Sequence, residues 1–326
     1  MKKVLLVIVI ISVSCCLDKG GRGHNVKVMS WNVQNLFDGV DNGVEYSEFS
    51  VEKGYWSEEL YLKRLKLLSK VILLNNPDIV ALQEIESLKV LEDFREKYLK
   101  DYKYITSTNS SGAIQLGFMS KYPISRVSYI DPNNKSSKLR YLLEVEFLIG
   151  DNKLIVINNH WKSKYGGGSE NLRLLSSIAL KKRIKELSGQ DLLIVGDLNE
   201  SYNEYQKVNK SYTTALLFNE DGLGITLKNK GSIGFDELYT PWPDSDFSGS
   251  YNYRGEWETI DNILINHELY NSDGFSYGSF YVDSRSMLLN NYGTPYRWDV
   301  QAQGGFSDHL PVVVLLETSS IKTNWE

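Results

Sequence analysis

The sequence predicts an α/β protein with mixed sheets covered by helices, and three observations support that class. Short apolar runs recur along the 326 residues, each of strand length and each followed by polar residues. Two other segments repeat their apolar residues at helical spacing. Some of the strand-like runs follow a helix while others follow one another through short turns, which argues against an all-parallel, doubly wound sheet.

Taken in order, the chain begins with Lys2 and Lys3, an apolar run from Val4 to Val13, and then Cys15-Cys16. The run is too short for a bilayer-spanning helix, and with its basic start and small residues near the end it reads as an export signal over 1–16. Both cysteines of the chain lie there, so no disulfide is expected inside the domain that follows. A cysteine closing such a signal resembles the acylation site of bacterial lipoproteins. That implies a membrane tether through Cys15 or Cys16 and a protein anchored at a membrane or cell surface; with a plain cleaved signal it would be periplasmic or secreted.

The remaining residues, about 310, fit one large domain. The whole chain has only 7 prolines, and no Ser/Gly/Pro tract, like-charge run or repeat marks a linker. We place the domain at 25–318 and a tail at 319–326. Formal charge is −5, or −7 without Lys2 and Lys3. An acidic balance is not a broad nucleic-acid footprint, although local clusters can still hold phosphates. The 21 tyrosines and 7 tryptophans supply stacking surface, though such residues more often pack or line loops.

Strands are expected at Val26 to Trp31, Asp78 to Leu82, Gly112 to Met119, Leu142 to Ile149, Leu154 to Ile157, Leu192 to Val195, Thr259 to Ile265 and Pro311 to Leu316. Helices are expected over Glu58 to Leu74, with Leu65, Leu68, Val71 and Ile72 on one face, and over Ser169 to Leu187, with Ser169 as N-cap. Asp38 to Trp56 and Asn271 to Gly305 read as long insertions, the second carrying Tyr277, Tyr281, Tyr292, Tyr296 and Trp298.

The polar residues that close the strands carry the chemistry. Asn32, in Trp31-Asn32-Val33, can orient a carboxylate, touch a hard metal or bind phosphate. Glu84 emerges from a buried run, where a carboxylate can ligate Mg²⁺. His160, in Asn159-His160-Trp161-Lys162-Ser163-Lys164, can protonate a leaving oxygen or hydrogen-bond a phosphoryl oxygen, with Lys162 and Lys164 adding positive charge. In Gly196-Asp197-Leu198-Asn199, an extended backbone would aim Asp197 and Asn199 the same way, one to hold a water and the other a phosphate oxygen. Asp261 needs a buried partner, and an imidazole is a good one. His309, in Ser307-Asp308-His309-Leu310-Pro311, is the candidate, on a loop rim that Pro311 keeps extended.

Each motif alone has a bland reading as a turn, cap or packed residue. Together, in this order and each at a strand end, they resemble the endonuclease/exonuclease/phosphatase superfamily over about Val26 to Leu316. The stretch from Asn159 to Lys164, with downstream Arg173, is similar to secreted bacterial endonucleases of that superfamily. The resemblance implies a four-layer α/β sandwich of two facing mixed β-sheets flanked by helices, as in DNase I, and a divalent cofactor, Mg²⁺ with Mn²⁺ or Ca²⁺ as substitutes. It implies Glu84 and Asp308 at the metal, and Asp197 activating water. Asn199 would bind a phosphate oxygen, His160 would sit near the leaving group, and His309 would contact the scissile phosphate with Asp261 as its partner. Asn32, Arg140 and Lys162 would serve phosphate binding or positioning.

The activity implied is metal-dependent phosphodiester hydrolysis by in-line attack of water, with DNA and secondarily RNA as substrate, and with Trp161 available to lie against a groove or base. A phospholipid or inositol-phosphate phosphodiesterase is the alternative, favoured by the acidic charge and lipid tether. A non-catalytic surface binding module is the third class.

Overall fold

The computed structural model describes residues 25–132, 139–165, 168–209, 211–218, 222–271 and 274–318. The export signal at 1–16 and the tail at 319–326 lie outside them. In chain order the elements begin with β1 (Val26–Leu36), α1 (Glu58–Asn75), β2 (Ile79–Ile85), α2 (Leu88–Lys97), β3 (Tyr104–Ser107), β4 (Gln115–Ser120), β5 (Ile124–Ile130), β6 (Leu142–Ile149) and β7 (Asn152–His160). They continue with α3 (Ser169–Glu186), β8 (Leu192–Asp197), α4 (Glu204–Lys207), β9 (Leu216–Leu217), β10 (Ile225–Lys228), β11 (Glu237–Tyr239), β12 (Tyr251–Tyr253) and β13 (Glu256–Glu258). The last are β14 (Asp261–Ile265), α5 (His267–Asn271), β15 (Phe275–Val282) and β16 (Val312–Thr318).

The strands form a six-stranded sheet, β15-β16-β1-β2-β4-β3, and an eight-stranded sheet, β5-β6-β7-β8-β14-β11-β10-β9. Both are mixed: β1 and β2 run parallel, as do β7 and β8, while most other neighbours are antiparallel. Strand alternation builds the layers. On β8, Leu193 and Val195 enter the large core shared with β1, β2 and β16, whereas Leu192 and Ile194 pack on the other face with Leu180 and Ile184 of α3. Helix α1 covers the outer face of the six-stranded sheet through Leu65, Leu68, Val71 and Ile72. The result is helix, sheet, sheet, helix.

A polar bridge crosses the core near the functional edge. Gln83 of β2 donates to Asn158 Oδ1 of β7 at 2.7 Å, and Asn158 donates back to the carbonyls of Leu82 and Gly117 at 3.0 and 3.1 Å. Because such buried groups must find partners, the pairings fix how the sheets face each other.

Three expectations change. Ser169 is not the N-cap of α3: Gly168 takes that position in the left-handed region at φ 76, and Ser169 Oγ instead accepts from buried Arg173. The region Asn271 to Gly305 is not all loop, because β15 pairs along β16 and buries Phe275, Phe280 and Val282, with Tyr277 and Tyr281 on the same strand. Tyr, Phe and Gly at close spacing hid that alternation. Finally, β8 ends at Asp197, and Asn199 sits in a left-handed turn at φ 50, so strand alternation does not aim it.

Candidate active site

Parallel neighbours cannot be joined by hairpins, so β1, β2, β7 and β8 all send their chain out into loops at their C-terminal ends. Those four ends carry Asn32, Glu84, His160 and Asp197. Across the register, Asp197 is paired with His160 on β7 and with Asp261 on β14. Paired residues share a face, so an imidazole, a carboxylate and a second carboxylate stand in one row. The close approach of β7 and β8 requires Gly196, at φ 126: a Cβ there would meet the Asn159 carbonyl at 2.1 Å.

His309 completes the row from the loop before β16. Ser307 Oγ donates to the Asn32 carbonyl at 2.7 Å, the Trp31 indole donates to the His309 carbonyl at 3.0 Å, and Tyr251 forms an isolated β-bridge with His309. These bonds hold His309 Nδ1 2.7 Å from Asp261 Oδ2 and Nε2 4.0 Å from Asp197 Oδ2.

Glu84 reaches the same cavity by a different device. Pairing of β2 with both neighbours slips at this residue, which lies in the left-handed region at φ 64. The opposing bend in β1, with Gln34 and Asn35 at φ 53 and 52, is held by Arg64, whose buried guanidinium donates to the carbonyls of Val33, Gln34 and Asn35. Asn35 N–H then donates to Glu84 Oε2 at 2.8 Å.

Asn32 is fully buried, its amide donates at 3.1 Å to Glu84 and at 3.1 Å to Asp197, and its oxygen accepts from Gln34 N–H. It clamps two carboxylates together. That use replaces the phosphate contact expected of it, for which it has neither exposure nor a free donor. Asn199 N–H donates to Asp197 Oδ1 at 2.8 Å while its side chain donates to the Trp161 carbonyl at 3.2 Å.

The two histidines hold different charge. Burial pushes His160 well below the usual imidazole range, and Arg140, His309 and Lys162 push it further the same way. It is therefore neutral, and its approaches to Glu84 at 3.5 Å and Asp197 at 3.7 Å are not ion pairs. For His309 burial also acts downward, but Asp261, Asp197 and Asp308 outweigh it and hold the ring well above the usual range, as imidazolium. Burial raises Asp197, offset in part by His309, and burial followed by the nearby Asp308 raises Glu84.

Ser250 Oγ donates to Asp261 Oδ2 at 2.6 Å, and the Tyr251 ring lies on His309 with centroids 4.7 Å apart. Sequence reasoning missed both residues. Their only signal is an unremarkable Gly-Ser-Tyr before the β12–β13 hairpin.

Glu84, His160, Asp197, Asn199, Asp308 and His309 line one cavity of about 480 Å³. A larger cavity, about 600 Å³, lies between the loops around Phe49 and Trp298 and contains no histidine. Arg140 and Lys162 flank the smaller cavity without lining it; the Arg140 guanidinium donates to the carbonyls of His160 and Trp161 at 3.4 Å. Trp161 is buried with its indole N–H on Asn159 Oδ1, so it offers no face to a groove or base.

Among the described residues, the ligand-type atoms of Asp197, Asp261 and His309 lie within 4.8 Å of one another. This trio does not suit a cation, since His309 is protonated and spends Nδ1 on Asp261. Glu84 and Asp308 fit better. They are two carboxylates on one cavity, each unfavourable to the other, and a hard oxygen-seeking cation offsets that repulsion.

The class that this fold and site define is that of phosphate-ester hydrolases. More particularly, the chain belongs to the endonuclease/exonuclease/phosphatase family, whose model matches residues 27–318. Similar solved structures include an endonuclease/exonuclease/phosphatase family protein from Bacteroides thetaiotaomicron, with TM-score 0.58 and 17% identity over 91% of this chain and 99% of that one. D. rerio TDP2 complexed with single-strand DNA product gives TM-score 0.57 and 15% identity over 90% and 99% of the two chains. A mannosyl-6-phosphatase from Bacteroides thetaiotaomicron gives 0.55 and 17% over 89% and 99%. At such identities the likeness is one of fold. Among curated proteins, no significant match is found.

Proposed function

We propose that the protein is an exported, divalent-metal-dependent phosphodiesterase that cleaves DNA, with RNA as a secondary substrate. The observation that supports this most is the row of His160, Asp197, Asp261 and His309 with Glu84 and Asp308 on the same cavity wall.

In this reading Asp197 orients the attacking water and takes its proton, helped by the upward shift that burial gives its carboxyl. Asn32 and the Asn199 N–H hold its two oxygens in place. His309 places a positive charge beside the phosphoryl oxygens as negative charge grows there, and Asp261 keeps the proton on the ring. His160, being neutral, donates a hydrogen bond towards the leaving oxygen and does not act as a charged acid. A divalent cation held by Glu84 and Asp308, Mg²⁺ or in its place Mn²⁺ or Ca²⁺, would supply Lewis-acid charge to the same oxygens.

The D. rerio TDP2 structure, of similar fold, contains single-strand DNA product, which favours nucleic acid over the phospholipid or inositol-phosphate alternative. Export rests on Lys2, Lys3, the apolar run and Cys15-Cys16. Acylation at Cys15 or Cys16 would tether the domain to a membrane; among the described residues no helix is long and apolar enough to cross one.

The test incubates plasmid and sphingomyelin separately with the purified protein and Mg²⁺, with an EDTA control. Metal-dependent nicking with untouched lipid supports the nuclease, and the reverse pattern overturns it in favour of a lipid phosphodiesterase. We expect Asp197→Ala and His309→Ala to lose activity by about three orders of magnitude or more while remaining folded. Near-normal turnover in either variant removes the assignment.

A further inference from the structure

The catalytic cavity has an aromatic rim that the hydrolytic chemistry does not use. Tyr165 is 89% exposed and Tyr253 is 52% exposed, and both line the cavity that holds Asp197 and His309. Aromatic side chains exposed beside a reactive site are available to a flat partner. Tyr251, between them and the catalytic row, is already committed, its ring lying on His309. Tyr253 stands on the β12–β13 hairpin, with the Arg254 guanidinium 5.1 Å from its ring centroid. A positive charge over one face leaves the ring suited to a flat, electron-rich partner on the other.

The segments that carry the two tyrosines are tied together. Lys164, next to Tyr165, reaches Glu258 on β13 at 3.3 Å and Glu204 at 3.0 Å, so the segment carrying Tyr165 is tied to the hairpin carrying Tyr253. That tie has an electrostatic consequence. Lys164 is the one lysine or arginine among the described residues lining this cavity, and its charge is spent on two carboxylates. Beyond the imidazolium of His309 at the reaction centre, the described wall thus offers stacking faces and no free lysine or arginine to follow a phosphate backbone, in keeping with a chain of net charge −5.

We propose that Tyr165 and Tyr253 form a stacking clamp for an unpaired base next to the scissile phosphate, and that the preferred polymer is single-stranded nucleic acid. The proposal rests on the phosphodiesterase reading above and adds what selects the substrate. Bases in an intact duplex have both faces covered by their neighbours, so a clamp of this kind gains only from a base already free or cheaply unstacked.

The experiment compares three DNA substrates with the full-length protein and Mg²⁺: a single-stranded oligonucleotide, the same sequence as a duplex, and a strand of abasic residues with the same backbone. We expect the single strand to exceed both others in kcat/KM. Tyr165→Ala with Tyr253→Ala should lower single-strand kcat/KM by about 10- to 100-fold, mainly through KM, and bring the ratio of single-strand to abasic rates close to one. Tyr253→Trp should keep the preference and Tyr253→Leu should lose it, which separates a π-face from mere packing. Equal wild-type rates on all three substrates, or an unchanged ratio in the alanine variants, overturns the clamp and leaves the phosphodiesterase reading standing. Absence of metal-dependent cleavage of every strand overturns both.

Discussion

His160 and His309 face one cavity in different protonation states because burial dominates at the first and carboxylates outweigh it at the second. Beyond burial, the cations Arg140, His309 and Lys162 disfavour a charge on His160, and Glu84 and Asp197 come no closer than 3.5 and 3.7 Å, whereas His309 has Asp261 at 2.7 Å and Asp197 and Asp308 further out. The proton on His309 is held by Asp261, and Ser250 fixes that carboxylate in place by donating from Oγ to Oδ2 at 2.6 Å. A hydrogen bond to a charged group contributes about 1.5–3 kcal/mol. We therefore expect Ser250→Ala to lower kcat about 10- to 100-fold with KM little changed. The alkaline limb of its pH–rate profile should move to higher pH, because an Asp261 carboxylate relieved of a donor attracts the His309 proton more strongly. Ser250→Thr should restore both. An alkaline limb that does not move would show that Ser250 only packs. Neither effect was visible in the sequence, where Ser250 is one serine among many and Asp261 is recognisable only by its place at the head of an apolar run.

The bulge at Glu84 and the pin at Arg173 show how secondary structure supports this edge. Glu84 adopts φ 64, a backbone state costing about 1 kcal/mol or more for a residue with a Cβ, to aim a carboxylate into a cavity that Asp308 already makes negative. Such a site is built for binding at the expense of stability. In EDTA, Glu84→Gln should raise stability by about 0.5–2 kcal/mol in thermal unfolding. Wild type should gain about 2.7 kcal/mol from Mg²⁺ at a hundred times its Kd, and the variant should gain almost nothing. An equal Mg²⁺ response in both would move the metal away from Glu84.

Arg173 works at a distance from the chemistry. It is buried on α3, donates to Glu200 Oε2 at 3.1 Å and to the Lys162 carbonyl at 3.4 Å, and Glu200 Oε1 accepts from the backbone of Ala215 and Leu216. One side chain thus pins the loops that follow His160 and Asp197. Arg173→Met leaves Glu200 buried without its partner and should cost about 3–5 kcal/mol in denaturant unfolding. Double replacement with Glu200→Gln should recover part of that loss. Arg173 was noticeable in the sequence, but its partner was not, because Glu200 reads as one more polar residue in the turn after β8.

Across the domain, the pH dependence of stability follows from which buried groups bind protons more tightly when folded. Glu84, Asp197 and Glu86 are raised first by burial, Glu86 to about 7, and His309 is raised by its carboxylates against burial. A raised group contributes stability that is complete below its unfolded pKa and is lost as pH rises through the folded value. For the carboxyls that loss begins above about pH 4.5, and for Glu86 it runs through about 7; His309 follows at higher pH. His160 is depressed and acts oppositely, its contribution present above about 6.5 and lost as pH falls through its folded value. Asp38, Asp191 and Glu200 are raised by burial as well, so with His160 opposing them the metal-free protein should unfold at lower temperature at pH 8 than at pH 5.5. Mg²⁺ should narrow the gap, because it favours the ionised carboxylates. A metal-free melting temperature that rises between those pH values would contradict this balance.

The α/β class, the mixed sheets, both long helices and the family are legible in the sequence, because apolar period and the order of polar residues at strand ends survive without coordinates. The sequence also marked Asn32, Glu84, His160, Asp197, Asp261, Asp308 and His309 as candidates, since each follows or opens an apolar run. How they meet is settled by folding. Register puts His160 and Asp261 on either side of Asp197, a left-handed bulge turns Glu84 into the cavity, and a clamp of two hydrogen bonds makes Asn32 a holder of carboxylates. The same holds for Trp161, which a sequence reading offers as a stacking surface and which folding buries, while Tyr165 and Tyr253 are left at the rim. The physical reason is common to these cases. Burial, register and positive φ are set by contacts between segments far apart in the chain, and side-chain charge follows from burial.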